Sequence, residues 1–392
     1  VRDYYRKFRA KVLQRLIPRS RRGFALPATI EVAGYFSMTA GVGESARLCT
    51  DALAEAAVPL RIADVSTHPE EARDVEWAAP RQGTGEASVR ILHLNPPMLP
   101  RGIAKLGLSR FTRSFNIGYW AWELEVIPEE WRNALRYMNA VFVPSEFTRQ
   151  AIARHTNIPV ITVPHPVTAR AAAPGMRAQF GIPDSAFLVS SIFSAGSSIN
   201  RKNPHAVLTA FRQFAANNPD AFLLMKASGN PARDESLRAV IAAAADIGQV
   251  RILTENLPSS AIAGIIGQSD AYISLHRSEG FGLTVAEAIL AGTPVISTGW
   301  SGTVDFCDPE NTWSTDYRLI PVIDSHPEFA SLRDARWADA SADHAAQQLA
   351  EIAGDPVHAR QRAAAARGFL QRYLAANTYG AALERLASAP GK

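Results

Sequence analysis

Residues 271–298 read AYISLHRSEGFGLTVAEAILAGTPVIST. The run 271–275 is apolar and short, as a buried strand is. Gly280 and Gly282 follow at a spacing that suits a tight turn. Residues 283–291 then carry apolar side chains at helical spacing, and Gly292 with Pro294 ends the helix. A second apolar run, 294–298, completes a strand–helix–strand unit. Such a unit belongs to a parallel sheet covered by helices.

The same alternation extends outward in both directions. Strands are predicted at 187–193, 221–226 and 250–253, with helices at 204–217, 234–245, 259–267, 342–354 and from there to 388. An earlier series has strands at 30–37, 89–94, 114–120, 140–144 and 160–163, a glycine turn at 41–43 with a helix at 44–57, and a helix capped by Ser145. Pro164, His165 and Pro166 separate the two series and read as a hinge. The predicted fold is α/β, with two Rossmann-like, doubly wound parallel-sheet domains facing a cleft, and ligands at the carboxyl ends of the strands. The expected division is a basic segment at 1–26, a first domain at 27–165, a second at 166–369, and a C-terminal helix at 370–392 crossing back to the first.

A chain of 392 residues with 47% hydrophobic and 20% charged residues is globular and large enough for two domains. Its two cysteines, Cys49 and Cys307, are too far apart for a metal spacing. No apolar run is long enough to span a bilayer and no secretory signal opens the sequence, so a cytoplasmic protein is expected. The net charge of +4 is unevenly placed: residues 1–22 hold nine basic residues and one acid, leaving −4 for the rest. That speaks against nucleic acid as a partner of the folded body. Residues 4–17 space Tyr5, Phe8, Val12, Leu13 and Leu16 as an amphipathic helix. It suits either an anionic membrane surface or packing on the body with a solvated basic face.

Four constellations carry chemistry. In the quoted stretch, Gly280 and Gly282 leave the N–H groups of the following helix open to an anion. Glu287 sits on that helix, where its carboxylate could accept from a ribose diol, and Glu279 stands at the strand end, where it could meet sugar hydroxyls. Arg201 and Lys202 follow the first strand of the second series and offer a planar fork and a point charge for phosphate oxygens. Gly41, Gly43 and Glu44, with Arg47, follow the first strand. This loop lacks the third glycine of a dinucleotide fingerprint and the Gly-Lys-Ser of a P-loop. Trp120, Trp122 and Glu123 end a strand, either as an aromatic wall with a carboxylate for an acceptor or as core.

Two glutamates eight positions apart around a Gly-Phe-Gly-Leu run, followed by Gly292, Thr293, Pro294 and Val295, resemble the E-x7-E signature of retaining glycosyltransferases of the GT-B fold, family 4. The resemblance implies that Glu287 holds the nucleotide ribose and Glu279 contacts the transferred sugar. It implies that Arg201 and Lys202, adjacent here where the family spaces them apart, neutralise the donor diphosphate. Gly280, Phe281, Gly282, Leu283 and Thr284 would line the donor, as would Gly41 and Gly43; Asn256 and Leu257 would lie against its base. Glu123 would be catalytic, with Trp122, Trp120 and Glu44 on the acceptor side. The implied reaction is hexosyl transfer from a nucleotide sugar, GDP-mannose ahead of a UDP-hexose, to a hydroxyl of a glycan or lipid-linked acceptor in surface polysaccharide synthesis, at the inner membrane face. No cofactor is implied. No metal is implied either, since the chain has no Asp-x-Asp of the metal-dependent GT-A enzymes. A sugar-nucleotide epimerase or hydrolase of the same fold, or a non-catalytic nucleotide-sugar-binding protein, stays open as an alternative.

Overall fold

The computed structural model describes residues 17–20, 22–26, 28–38, 41–66, 77–84, 86–329 and 332–388. The segment predicted as an amphipathic helix therefore lies, through residue 16, outside the described residues. The chain divides into two compact units: one runs to Pro166 and takes back the chain from Leu374, the other is Val167–Tyr373.

The first unit holds six parallel strands: β1 (Ile30–Gly34), β2 (Leu60–Asp64), β3 (Val89–His93), β4 (Phe115–Tyr119), β5 (Ala140–Val143) and β6 (Val160–Thr162). Their order across the sheet is β2-β1-β3-β4-β5-β6. The order reverses between β1 and β3, the point where open α/β sheets bind ligands. Ile30, Val32, Ile91, Ile117, Ala140 and Phe142 build one continuous core. Ser145 caps the next helix as expected, its side chain accepting from the Thr148 N–H. The helix Tyr379–Ser388 closes this unit, burying Tyr379, Ala382, Leu383 and Leu386 in the same core. The Ala-rich C-terminal stretch is thus two helices, Pro356–Ala376 and Tyr379–Ser388.

The second unit has β7 (Phe187–Ser194), β8 (Ala221–Ser228), β9 (Val250–Leu253), β10 (Ala271–Ser274), β11 (Val295–Thr298) and β12 (Trp313–Thr315), all parallel. Their order is β12-β11-β10-β7-β8-β9. Counted within the unit this is the 3-2-1-4-5-6 order of a dinucleotide-binding sheet, with its switch point between β7 and β10. An antiparallel pair, β13 (Tyr317–Pro321) and β14 (Arg336–Ala340), stands apart.

Two local readings are corrected. Gly41 and Gly43 are not a turn before a helix at 44. They form the first turn of the helix Gly41–Glu55, and position 43 has to be glycine because a Cβ there would lie 2.3 Å from the Met38 carbonyl oxygen. Strand β2 went unforeseen, as did β12, β13 and β14.

Candidate functional site

The site is built where the second sheet reverses. After β7 the chain makes a short helix, Ile199–Lys202, whose start is fixed by Ser198 Oγ accepting from the Arg201 N–H at 3.1 Å. After β10 it runs through His276 to Glu279. The two crossovers are laced together: the Arg277 N–H donates to the Arg201 carbonyl at 2.7 Å, and Asn203 Nδ2 donates to the Leu275 carbonyl at 3.0 Å. Asn203 sits in the left-handed region (φ 53°), which an asparagine tolerates, and turns the chain into the helix Pro204–Ala215.

The result is a cluster of three charges, Arg201 and Glu279 buried and Lys202 partly so. Arg201 is 3% exposed; its Nη1 donates to the Ser278 carbonyl at 2.8 Å and lies 3.2 Å from Glu279 Oε2. Lys202 Nζ donates to Glu279 Oε1. Burial alone would raise the Glu279 carboxyl, but Lys202 and Arg201 outweigh it and hold the group at about 2. Glu279 is therefore ionised at neutral pH and has no proton to give. Its backbone is braced as well: its N–H donates to Ser301 Oγ at 2.8 Å, and its carbonyl accepts from the Gly302 N–H at 2.9 Å. Gly302 has no room for a side chain, since a Cβ would meet the Gly280 carbonyl oxygen at 2.3 Å.

Gly282 caps the helix Leu283–Ala291 in a left-handed conformation (φ 95°) with no side-chain cap, so the positive end of the helix dipole follows Glu279 by three residues in the chain. Phe281 is corrected: it is a core side chain, buried with its ring 4.9 Å from that of Phe306, so only its backbone can face a donor. Leu283 and Thr284 are partly exposed, and Thr284 Oγ1 accepts from the Tyr272 hydroxyl at 2.8 Å. Glu287 lies on the same helix and pairs with Arg170, Nε to Oε1 at 3.2 Å. His276 is fully buried between Ser274 and Thr303, and burial lowers it to about 4, so it is a neutral structural ring.

The remaining sequence candidates sit elsewhere. Past β9, at the sheet edge, Asn256 is exposed and Leu257 packs on the cluster of Met176, Phe180 and Ile265. In the first unit, Glu44 is held by Arg47 Nη2 at 2.9 Å, while Arg47 Nη1 donates to the Phe36 and Met38 carbonyls. Arg47 thus locks the helix start to the loop before it and is not a surface residue. Trp120 and Trp122 are 0% and 1% exposed and pack on Trp131. They are core, and the aromatic wall is corrected. Glu123 is half-buried beside them. Sequence reasoning missed Arg170, Ser301, Gly302 and Asp324, which accepts from Ser198 Oγ. Only the Gly299–Ser301–Gly302 cluster after a strand gave a turn signal.

The sequence profile of the family described as Glycosyl transferases group 1 matches residues 182–312, which include the switch-point cluster and the glycine turn. These findings support the GT-B glycosyltransferase superfamily. A curated D-inositol 3-phosphate glycosyltransferase from Arthrobacter sp. (strain FB24) is 29% identical over 170 residues, 42% of this chain. The match spans about a third of that relative, 36% of its length. Among solved structures, sucrose-phosphate synthase from Thermosynechococcus elongatus superposes with a TM-score of 0.66 at 15% identity, covering 91% of this chain and 97% of that one. HepE from Anabaena, in complex with UDP and glucose, gives 0.60 at 12% identity, covering 92% and 97%. A glycosyltransferase from Rickettsia africae gives 0.64 at 13% identity, covering 92% and 97%. At such identities the likeness shows the fold, two Rossmann-like domains of the GT-B type. Among the described residues no helix is long and apolar enough to cross a membrane.

Proposed function

We propose that this protein transfers a hexosyl group, with retention at the anomeric carbon, from a nucleoside diphosphate sugar to a hydroxyl of a glycan or lipid-linked acceptor. The observation that carries the reading is the convergence of Arg201, Lys202 and Glu279 at the switch point of the second sheet. When the bond from sugar to diphosphate breaks, negative charge grows on the phosphate. Two fixed cations and an open helix N-terminus meet that charge where it develops, and such preorganised stabilisation commonly contributes more to catalysis than any other single effect.

Glu279 cannot protonate the leaving group at neutral pH. Its part is to hold the two cations and to accept from hydroxyls of the transferred sugar. Glu287 accepts from the ribose diol. Retention follows from same-face attack, with the departing phosphate taking the acceptor proton. The two cations do the work of a metal ion, so turnover is expected to survive chelation. Sugar-nucleotide complexes of proteins of similar fold, such as HepE with UDP-glucose, favour a UDP-hexose as the first donor to try, with GDP-mannose beside it. The acceptor set includes inositol 3-phosphate, after the curated relative, and a polyprenyl-linked glycan; the basic N-terminal segment would hold the protein at the inner membrane face.

The test is release of nucleoside diphosphate from a donor panel, with and without each acceptor. Acceptor-dependent release that E287A reduces supports transfer. Full release without acceptor identifies a hydrolase, and binding without release a sensor.

A further inference from the structure

Four adjacent strands of the first unit each place a polar residue second: Glu31 in β1, Arg61 in β2, Arg90 in β3 and Asn116 in β4. The register aligns them. Glu31 is the Cα partner of both Arg61 and Arg90, and Arg90 is the partner of Asn116. Partners in a parallel sheet share a face, so the four form one row across the amino-terminal edge of the sheet. This is the edge away from the strand ends at which α/β sheets bind their substrates.

Glu31, Arg61 and Arg90 of this row line a cavity of about 670 Å³ whose lining also includes Arg22, Arg110, Arg113, Glu86 and Ser88. Arg90 and Glu31 are 2% and 1% exposed and paired at 2.6 Å. The second oxygen of Glu31 lies 2.5 Å from Arg110 Nη2, and Arg90 Nη1 also donates to the Arg110 carbonyl at 3.2 Å. One buried carboxylate therefore serves two guanidiniums, which leaves that trio with a net positive charge. Around it stand three more arginines and one exposed glutamate. Five guanidiniums against two carboxylates, in a concavity with low-dielectric walls, concentrate positive potential. Interiors of parallel sheets are ordinarily apolar, and burying such charges is costly for stability alone. The chain keeps them at the second position of three neighbouring strands. Guanidiniums in this density match phosphate oxygens, which accept from them two at a time.

We propose that this arginine cavity is a second anion site, distinct from the donor site, that takes a phosphate group, free or on a lipid. The segment that ends at Arg22 is pinned to the same edge of the sheet: Ser20 Oγ donates to the Thr112 carbonyl at 2.8 Å, and Asn139 Nδ2 donates to the Ser20 carbonyl at 3.0 Å. Arg22, the last residue of the basic run 1–22 in the sequence, itself lines the cavity.

The experiment is arginine modification of the full chain by phenylglyoxal, resolved by peptide mass spectrometry. The arms are inorganic phosphate, chloride at equal ionic strength, phosphatidylglycerol vesicles and phosphatidylcholine vesicles. Phosphate at ten times its half-saturating level should slow modification of Arg61, Arg110 and Arg113 together by about tenfold. Arg212 and Arg238, exposed on the second unit, should react unchanged. R61A/R113A should lose the protection at Arg110 while keeping the donor turnover of the parent chain. Protection by free phosphate means that the phosphate group suffices. Protection by phosphatidylglycerol alone identifies the lipid-borne source. The proposal is overturned if neither protects, if chloride or phosphatidylcholine protects equally, or if every surface arginine slows alike.

Discussion

Arg170 and Glu287 form an ion pair, Nε to Oε1 at 3.2 Å, so the carboxylate proposed for the donor ribose is already engaged. Both side chains are partly exposed, and a pair of that kind contributes at most about 1 kcal/mol. A ribose diol can displace it, but at that cost. R170A should therefore lower the donor KM by up to about fivefold with kcat unchanged. E287A should raise KM by about tenfold or more, because hydrogen bonds to a charged acceptor are lost. Steady-state kinetics over a donor series reads both. A higher KM in R170A would mean that Arg170 positions Glu287 for the donor.

Lys202 and Arg201 share Glu279 but should not behave alike when removed. Arg201 is buried and also donates to the Ser197 and Ser278 carbonyls. R201A leaves a buried carboxylate half-paired and opens a gap, so unfolding should become easier by about 3–5 kcal/mol. K202A leaves Glu279 paired with Arg201. It should stay folded, with a smaller loss of stability than R201A because Lys202 is only partly buried, and lose about 100-fold or more in kcat, the scale for one donor that meets developing charge. Thermal unfolding and kcat, measured on both variants, separate the roles. Full kcat in K202A would remove Lys202 from the reaction.

The second unit was more legible than the first. The helix Leu283–Ala291 was bounded to the residue because Gly282 and Gly292, both at positive φ, punctuate it. The charged pair and Glu279 were found because charge at the end of an apolar strand is conspicuous. Arg170 was not, because nothing local marks a side chain whose partner lies on a distant helix. Strands β13 and β14 carry arginines, aspartate and proline, which mask the alternation of a pair whose second strand buries Trp337, Ala338 and Ala340. Trp120 and Trp122 look the same in sequence whether they stack on a sugar or on Trp131. The polar second positions of four strands were in plain view, but only the register turns them into a row.

The turn beside Glu279 depends on two glycines for different reasons. Gly282 has φ 95°, and a Cβ there would also lie 2.6 Å from Thr303 Cγ2. G282A should cost about 1–2 kcal/mol for the left-handed backbone, plus about 1–3 kcal/mol for the contact. T303S removes that methyl and should recover only the second part. At Gly302 the obstruction is the backbone of Gly280 and Glu279, so no second substitution should rescue G302A. Denaturant midpoints for the three variants and the double test this. Full rescue of G282A by T303S would show that the backbone conformation is not strained.

Acid should unfold the second unit in two steps whose signs can be worked out. Burial lowers His276 to about 4. The unfolded chain takes that proton near pH 6.5, the folded unit only near 4, so stability falls as pH drops between those values. Glu279 is held at about 2 against an unfolded value of about 4.3. Its contribution is complete above the unfolded value and is lost as pH falls from there toward 2. Each group can account for about 3 kcal/mol at most. In the first unit His165, also at about 4 through burial, and His93, lowered by its burial, act in the upper window, and Glu146, held below the usual carboxylate range by its Arg149 hydrogen bonds, adds to the lower one. Urea unfolding followed by a probe in each unit, from pH 7 to 3, should show both units weakening below about pH 6.5. Both should keep weakening below pH 4, and K202A should shrink that lower step in the second by weakening the hold on Glu279. A second unit whose midpoint is flat from pH 7 to 3 would place His276 and Glu279 in ordinary, solvated surroundings.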